Sequence, residues 1–262
     1  MFVIGELING MYPYIGKALA EKNKAVIQKY VRLQLESGAD ALDVNCGPSS
    51  KQPALDMQWL IETIQEVTDK TICIDSSRTE VIEAGLKAIK NSAIINSTTA
   101  DKNKLDIIIP LAKLYHTKLI GLTISSKGIP QNKDQRLELA AQIVATCSEA
   151  DFPIEDLYLD PIVMPLNVAQ AQQNDILESI REFKIISSPS PKTVIGLSNI
   201  SQGATMHSLL NRTFLTMAQG FGLDAAILNP LDRDLMDAVI TSDLILNKHI
   251  YCDKYLEAYR KK

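Results

Sequence analysis

The sequence has few of the residues and segments that mark metal-binding, membrane or secreted proteins. It contains 4 cysteines and 3 histidines, and neither a CxxC pair nor a nearby pair of histidines occurs, which excludes a zinc finger. No uncharged apolar run reaches the length of about 18 residues that a membrane span needs. The first residues lack a basic segment leading into an apolar one, so no secretory signal is expected. These absences predict a cytoplasmic protein without a membrane segment or a bound metal.

An excess of positive charge is also absent. Lys and Arg number 27 against 31 Asp and Glu, a formal net charge of -4, which suits a nucleic-acid backbone poorly. Hydrophobic residues make up 46% of the 262 residues, as in ordinary globular proteins. The length matches one α/β barrel of about 250 residues. Because no linker-like segment divides the chain, we predict a single domain over residues 1–262 and no nucleic-acid partner.

Eight short runs rich in Val, Ile and Leu recur along the chain. They lie at residues 3–4, 41–44, 72–74, 93–95, 119–122, 157–159, 194–197 and 225–228. Their continuous apolar character is typical of parallel strands covered on both faces, and the segments between them have helical spacing. The sequence therefore predicts a single (β/α)8 TIM barrel, with a doubly wound open sheet as the alternative.

Polar residues follow these runs at the carboxyl ends of the predicted strands. They are Glu6, Asn9, Asp43, Asn45, Asp75, Asn96, Thr123, Asp160, Ser198, Asn199 and Asn229. In a barrel those ends share one rim, although any one of these residues could equally cap the following helix. A ring of carboxylates and amides suits a neutral heterocycle with many N–H donors, such as a 2-amino-4-oxopyrimidine edge. No strong acid is expected beside the Gly-Leu-Ser-Asn segment at residues 196–199.

Other common chemistries lack their motifs. The sequence contains neither GxGxxG nor GxxxxGK[ST], which disfavours a dinucleotide or a nucleoside triphosphate. It also lacks the GxSxG elbow of many acyl-transfer enzymes.

Seven segments at predicted strand ends carry a family resemblance. They are GELINGM, GADALDVNCGP, ICIDSS, IINSTTA, LYLDPIVMP, TVIGLSNISQ and NRTFLTMAQGFGLDAAILNP. In this order they resemble the pterin-binding methyltetrahydrofolate:corrinoid (iron-sulfur) protein methyltransferases. The resemblance implies a barrel similar to dihydropteroate synthase, usually a homodimer. It also implies methyl transfer between N5 of tetrahydrofolate and the cobalt of a corrinoid on a separate, transiently bound protein.

The same resemblance implies specific roles for residues at the rim. The substrate-binding residues would be Asp75, Asn96, Asp160, Gly196, Ser198, Asn199 and Gln202. Asn199 would also be catalytic, because its side chain would reach N5 of tetrahydrofolate or 5-methyltetrahydrofolate. An amine leaves a methyl group readily only if it gains positive character, which a hydrogen bond from Asn199 would support in either direction of transfer.

Three alternatives stay open at this point. His207 stands where the enzymes of the acetyl-CoA pathway typically have an arginine, so the chain could instead be the methyltransferase of an O- or N-demethylase system. Dihydropteroate synthase would use the same pterin pocket, but its EST-R-P-type loop and R-x-H element are missing. A pterin-binding module without catalysis is the third. A corrinoid-binding domain would need a D-x-H-x-x-G motif, which the sequence lacks, so the corrinoid must come on a partner.

Overall fold

The predicted barrel is confirmed. A computed structural model describes residues 1–252 and Tyr255, so residues 253–254 and 256–262 of the predicted domain lie outside the described residues. Eight parallel strands close in chain order, with the first strand paired to both the second and the eighth. The strands are β1 (Phe2–Asn9), β2 (Ala41–Asn45), β3 (Thr71–Asp75), β4 (Ala93–Thr99), β5 (Lys118–Leu122), β6 (Leu157–Asp160), β7 (Lys192–Gly196) and β8 (Ala225–Leu228).

Helices cover the outside of the barrel after each strand. They are α1 (Pro13–Ala20), α2 (Lys24–Glu36), α3 (Pro53–Gln65), α4 (Thr79–Ala88), α5 (Lys102–Leu114), α6 (Lys133–Glu149), α7 (Leu166–Ala169), α8 (Gln173–Phe183), α9 (His207–Gly220) and α10 (Arg233–Ile245). Three helices begin at a side-chain cap, because Asn23, Asn132 and Asp232 each accept a hydrogen bond from a backbone N–H of the first turn. Among the described residues, no helix is long and apolar enough to cross a membrane.

One buried side chain from each strand fills the interior of the barrel. These are Ile4, Ala41, Cys73, Ile94, Ile120, Tyr158, Val194 and Ala225. Because side chains alternate along a strand, the residue two places further on faces the interior again, one layer closer to the rim. The members of that layer are Glu6, Asp43, Asp75, Asn96, Leu122, Asp160, Gly196 and Ile227. The apolar floor of the barrel is therefore followed by a mostly polar layer, which we call the acidic layer.

Strand β1 is longer than its apolar run predicts, and it contains an irregularity at the level of the acidic layer. Its pairing with β2 shifts register between Gly5 and Ile8. The N–H of Leu7 donates to Oε1 of the buried Gln34 at 2.9 Å, which satisfies a donor that the regular ladder would use. A Cβ at Gly5 would lie 2.4 Å from the same oxygen, so a side chain there would displace the Gln34 amide.

Candidate active site

The acidic layer contains four carboxyl groups: Glu6, Asp43, Asp75 and Asp160. Among the described residues, none of the four forms an ion pair with Lys or Arg. Burial raises the pKa of all four, because a charged carboxylate loses its hydration inside the barrel. For Asp43 the charge of nearby Asp75 raises the pKa further, since two like charges oppose each other's ionisation.

Two amides donate to two of these carboxyl groups, one of which lies on the neighbouring strand and the other two strands away. Asn45 donates from Nδ2 to Oδ2 of Asp75 at 2.7 Å, and Asn96 donates from Nδ2 to Oδ1 of Asp43 at 3.0 Å. Burial raises the pKa of Asp75 to about 6, although the hydrogen bond from Asn45 partly opposes this. The predicted Asp75 and Asn96 lie side by side, because they are register partners on β3 and β4. Each of these two side chains keeps an oxygen for a ligand.

Asp160 ends β6 on the same layer and is held by its own turn. Its Oδ1 accepts a hydrogen bond from the backbone N–H of Ile162 at 2.7 Å. The backbone carbonyl of Asp160 accepts from Thr123, at 2.9 Å from Oγ1 and 3.0 Å from the backbone N. The side chain is only 9% exposed, and burial raises the pKa of Asp160 to about 7. This carboxyl group therefore changes its charge near neutral pH.

An acid does lie beside the Gly-Leu-Ser-Asn segment, contrary to the expectation from the sequence. Ser198 donates its hydroxyl to both carboxyl oxygens of Glu6, at 2.8 and 2.9 Å. The two residues are 192 positions apart, and closure of the barrel brings β1 within one strand of β7. Glu6 was visible as one of the polar residues at the rim, but no local signal in the sequence connects it with Ser198.

Asn199 lies on the short helical turn Leu197–Ser201 that follows β7. Its side chain is exposed, as is that of Gln202 at the end of the turn, and the N–H of Gln202 donates to the carbonyl of Asn199 at 3.2 Å. Gly196 contributes no side chain to the acidic layer, and the amide of Asn199 lies over it. The predicted residues of β7 and its loop therefore share one side of the mouth.

We expect Gly196→Ala to lower kcat of the reaction that this site catalyses, without unfolding the protein. A Cβ at this position would lie 3.1 Å from Nδ2 of Asn199, so the amide must move by a few tenths of an ångström. The backbone φ of Gly196 is -84°, which alanine adopts without strain. The measurement is kcat together with the urea midpoint of unfolding, and we expect about a tenfold loss of kcat. Equal kcat in the variant would show that the position of this amide does not matter.

Other rim residues serve their own turns. Asn9 accepts at Oδ1 from the N–H of Met11, and Asn229 accepts from Leu231, at 2.9 and 3.0 Å. Asn9 and Asn229 therefore hold local turns rather than capping a helix, whereas Thr123 binds the backbone carbonyl of Asp160. His207 is exposed at the start of α9, with Nδ1 3.1 Å from the hydroxyl of Ser201.

A family model described as pterin binding enzyme matches residues 16–229, most of the barrel. The chain belongs to the pterin-binding enzymes. Within the described part of the chain, no group of three or more His, Cys, Asp and Glu side chains could hold a metal ion.

Two relatives are similar in sequence to this pterin-binding enzyme, one over its full length and the other over a small part of a longer protein. Methylcorrinoid:tetrahydrofolate methyltransferase from Eubacterium limosum is 30% identical and is aligned over 100% of this chain and 97% of the relative. Methionine synthase from Mycobacterium tuberculosis is 25% identical over 87% of this chain, which spans 20% of that much longer protein.

Solved structures share the fold of the enzyme. A 7,8-dihydropteroate synthase from Vibrio fischeri superposes with a TM-score of 0.69 at 17% identity. The match covers 95% of this chain and 94% of the synthase. A dihydropteroate synthase from Coxiella burnetii in complex with pteroic acid has a TM-score of 0.72 at 15% identity, with the same coverage. At these identities the likeness concerns the barrel alone.

Proposed function

We propose that this enzyme transfers a methyl group between N5 of tetrahydrofolate and the cobalt of a corrinoid that a partner protein carries. The observation that carries the proposal is the acidic layer, with its amide-paired carboxyl groups beneath the exposed Asn199. The full-length relative from Eubacterium limosum, whose name states this pair of substrates, supports it. Transfer in either direction is compatible with the site.

The acidic layer has the hydrogen-bonding groups that a pterin requires. Asp75 and Asp160 each have one carboxyl oxygen engaged by the protein, which leaves the second for an N–H of the pyrimidine edge. Asn96 donates to Asp43 and keeps its own oxygen as an acceptor. Because the protein holds each group in place before the ligand arrives, little conformational freedom is lost on binding.

The other side of the mouth is suited to act on N5. We propose that Asn199 donates a hydrogen bond from its amide to N5, which stabilises the charge that changes there in the transition state. Glu6 accepts the hydroxyl of Ser198 and thereby positions the turn that carries Asn199. Gly196 leaves the space that this amide needs, and we place Gln202 at the outer edge of the same site. The corrinoid of the partner supplies or takes the methyl group.

The corrinoid protein must approach the open rim, because N5 lies inside the barrel mouth. We propose that it binds there transiently and that the enzyme is a cytoplasmic homodimer whose contacts use helices on the side of the barrel. The histidine at position 207 supports placing the enzyme in an O- or N-demethylase system. The acetyl-CoA pathway is the other branch, and the methyl donors accepted by the coupled system would distinguish the two.

Anaerobic turnover with tetrahydrofolate and methylcobalamin tests the proposal. We expect the cobalt spectrum to change from that of methylcobalamin to that of the demethylated corrinoid, with formation of 5-methyltetrahydrofolate in equal amount. Tight folate binding without turnover would favour an obligatory corrinoid protein or the binding-module alternative, and adding corrinoid protein separates these two. Absence of folate binding would overturn the proposal, and condensation of pterin pyrophosphate with p-aminobenzoate would favour dihydropteroate synthesis.

A further inference from the structure

A fully buried arginine lies behind the segment that follows Asp160. Arg136, on the first turn of α6, has 0% of its surface exposed. Its Nε–H donates to the carbonyl of Pro161 at 2.8 Å, Nη1 donates to the carbonyl of Asn132 at 3.1 Å, and Nη2 donates to Oε1 of Gln172 at 3.0 Å. Among the described residues, no carboxylate forms an ion pair with it. All three hydrogen bonds go to neutral acceptors, and the charge of nearby Asp175 offsets only part of the cost of burying the guanidinium group.

These contacts join the two ends of the connection between β6 and α8. Pro161 and Gln172 are the first and last residues of the segment 161–172, and both accept hydrogen bonds from the same guanidinium group. The planar fork of arginine holds several acceptors in one fixed arrangement, which a lysine ammonium group cannot do. Arg136 therefore fixes the direction that the chain takes after Asp160.

The turn that Arg136 holds is strained. Ile162 has a φ of +63°, in the left-handed region that β-branched residues strongly avoid. In this conformation its N–H, which shares one peptide plane with the carbonyl of Pro161, donates to Oδ1 of Asp160 at 2.7 Å. Such a conformation persists only where the surrounding structure enforces it, and the bond from Arg136 to the adjacent Pro161 carbonyl supplies that constraint.

We propose that Arg136 is a positioning residue for pterin binding, which acts by holding the strained turn at Ile162 so that the Asp160 carboxyl keeps its orientation toward the ligand. The inference rests on the proposed function, because it assigns Asp160 to the pterin. Without the bond from Arg136 to the carbonyl of Pro161, the peptide plane between Pro161 and Ile162 is free to rotate and its N–H leaves Asp160. The carboxyl group then turns or becomes hydrated, and the ligand loses its acceptor.

A double-mutant cycle tests this role. The affinity for tetrahydrofolate is measured anaerobically by calorimetry for the native protein, Arg136→Lys, Asp160→Ala and the double variant, with urea unfolding of each. Arg136→Lys keeps the charge and one donor but not the fork. We expect each single change to weaken binding by about tenfold or more. The double variant should bind within about twofold of Asp160→Ala, because the arginine acts only through that carboxyl group.

Two further variants keep the test decisive. Lys133→Met removes an ion pair of 2.9 Å between Lys133 on α6 and Glu178 on α8, and the affinity of this variant for tetrahydrofolate should stay within about twofold of native. Gln172→Met removes one acceptor and leaves Arg136 in place, so it replaces Arg136→Lys in the cycle if that variant fails to fold. We expect Gln172→Met to lower the affinity for tetrahydrofolate about threefold.

The outcomes separate this inference from the proposed function. Equal losses of affinity with and without the Asp160 side chain would reduce Arg136 to a structural residue and overturn the inference, as would native affinity in Arg136→Lys. Failure of the native protein itself to bind tetrahydrofolate would overturn the proposed function and this role together. If Arg136→Lys lowers only the free energy of unfolding, and by the same amount with Asp160 and with Asp160→Ala, then Arg136 contributes to packing and not to the position of Asp160.

Discussion

Asn199→Ala is expected to lower kcat of methyl transfer by about 10² to 10⁴-fold, while the affinity for tetrahydrofolate changes little. The reason is that Asn199 is exposed at the mouth and is proposed to meet N5 most strongly in the transition state, whereas Asp75, Asn96 and Asp160 are proposed to hold the ring in the ground state. Because the side chain is not part of the core, the urea midpoint should stay at its native value. Anaerobic single-turnover spectra of the corrinoid measure the rate.

A matched control lies three residues further along the same segment. Gln202 is also exposed, and Gln202→Ala should change the affinity for the folate by a few-fold at most and leave kcat nearly native. Native kcat in Asn199→Ala would contradict the proposed catalytic role. A large loss of affinity with unchanged kcat would instead make Asn199 a binding residue.

Asp160→Asn is expected to stabilise the protein at pH 8 and to weaken folate binding. Burial raises the pKa of this carboxyl from the usual 3.8 to about 7, so keeping it ionised in the native state opposes folding. The difference between these two pKa values corresponds to a gain of about 4 kcal/mol in the free energy of unfolding for the neutral amide. The asparagine oxygen can still accept the N–H of Ile162, so the turn stays intact. Urea unfolding of the native protein and the variant at pH 8 measures this gain.

The sign of the pH dependence follows from the direction of the shift. The native state keeps the proton of Asp160 up to a pH of about 7, whereas the unfolded chain loses it near 3.8. Stability contributed by this group is therefore present at low pH and is lost as the pH rises between these values. The extra free energy of unfolding of Asp160→Asn over the native protein should be small at pH 4 and reach its full size above pH 7. Unfolding curves at several pH values measure this difference directly.

The same substitution removes an acceptor that we assign to the pterin. Above pH 7 an ionised Asp160 would accept an N–H of the ligand strongly, so we expect the amide to bind tetrahydrofolate about tenfold more weakly at pH 8. Asp151→Asn is the matched control, because Asp151 is exposed and the variant should unfold within about 0.5 kcal/mol of native. An Asp160 variant that is no more stable than native at pH 8 would show that the carboxyl is not desolvated as described.

Some of the site could be predicted without the fold. The apolar runs placed all eight strands, since a strand covered on both faces leaves a continuous local pattern. With those strands in place, period-two alternation puts Asp75, Asn96, Asp160 and Gly196 on one inward layer. Their types then indicated a donor-rich ligand, and the family resemblance was confirmed by the match to the pterin-binding enzymes. Their individual roles remain proposals.

Other features depend on contacts between distant segments. Glu6 and Ser198 meet because the barrel closes, and Arg136 reaches Pro161 because α6 packs beside the end of β6. The strain at Ile162 cannot be predicted from the sequence, because isoleucine rarely adopts a left-handed backbone conformation. Local periodicity and motif order are therefore enough to predict the strands, the composition of the acidic layer and the family. The partner of each carboxyl group, and the extent to which burial raises its pKa, depend on neighbours that folding brings together and so are visible only in the folded barrel.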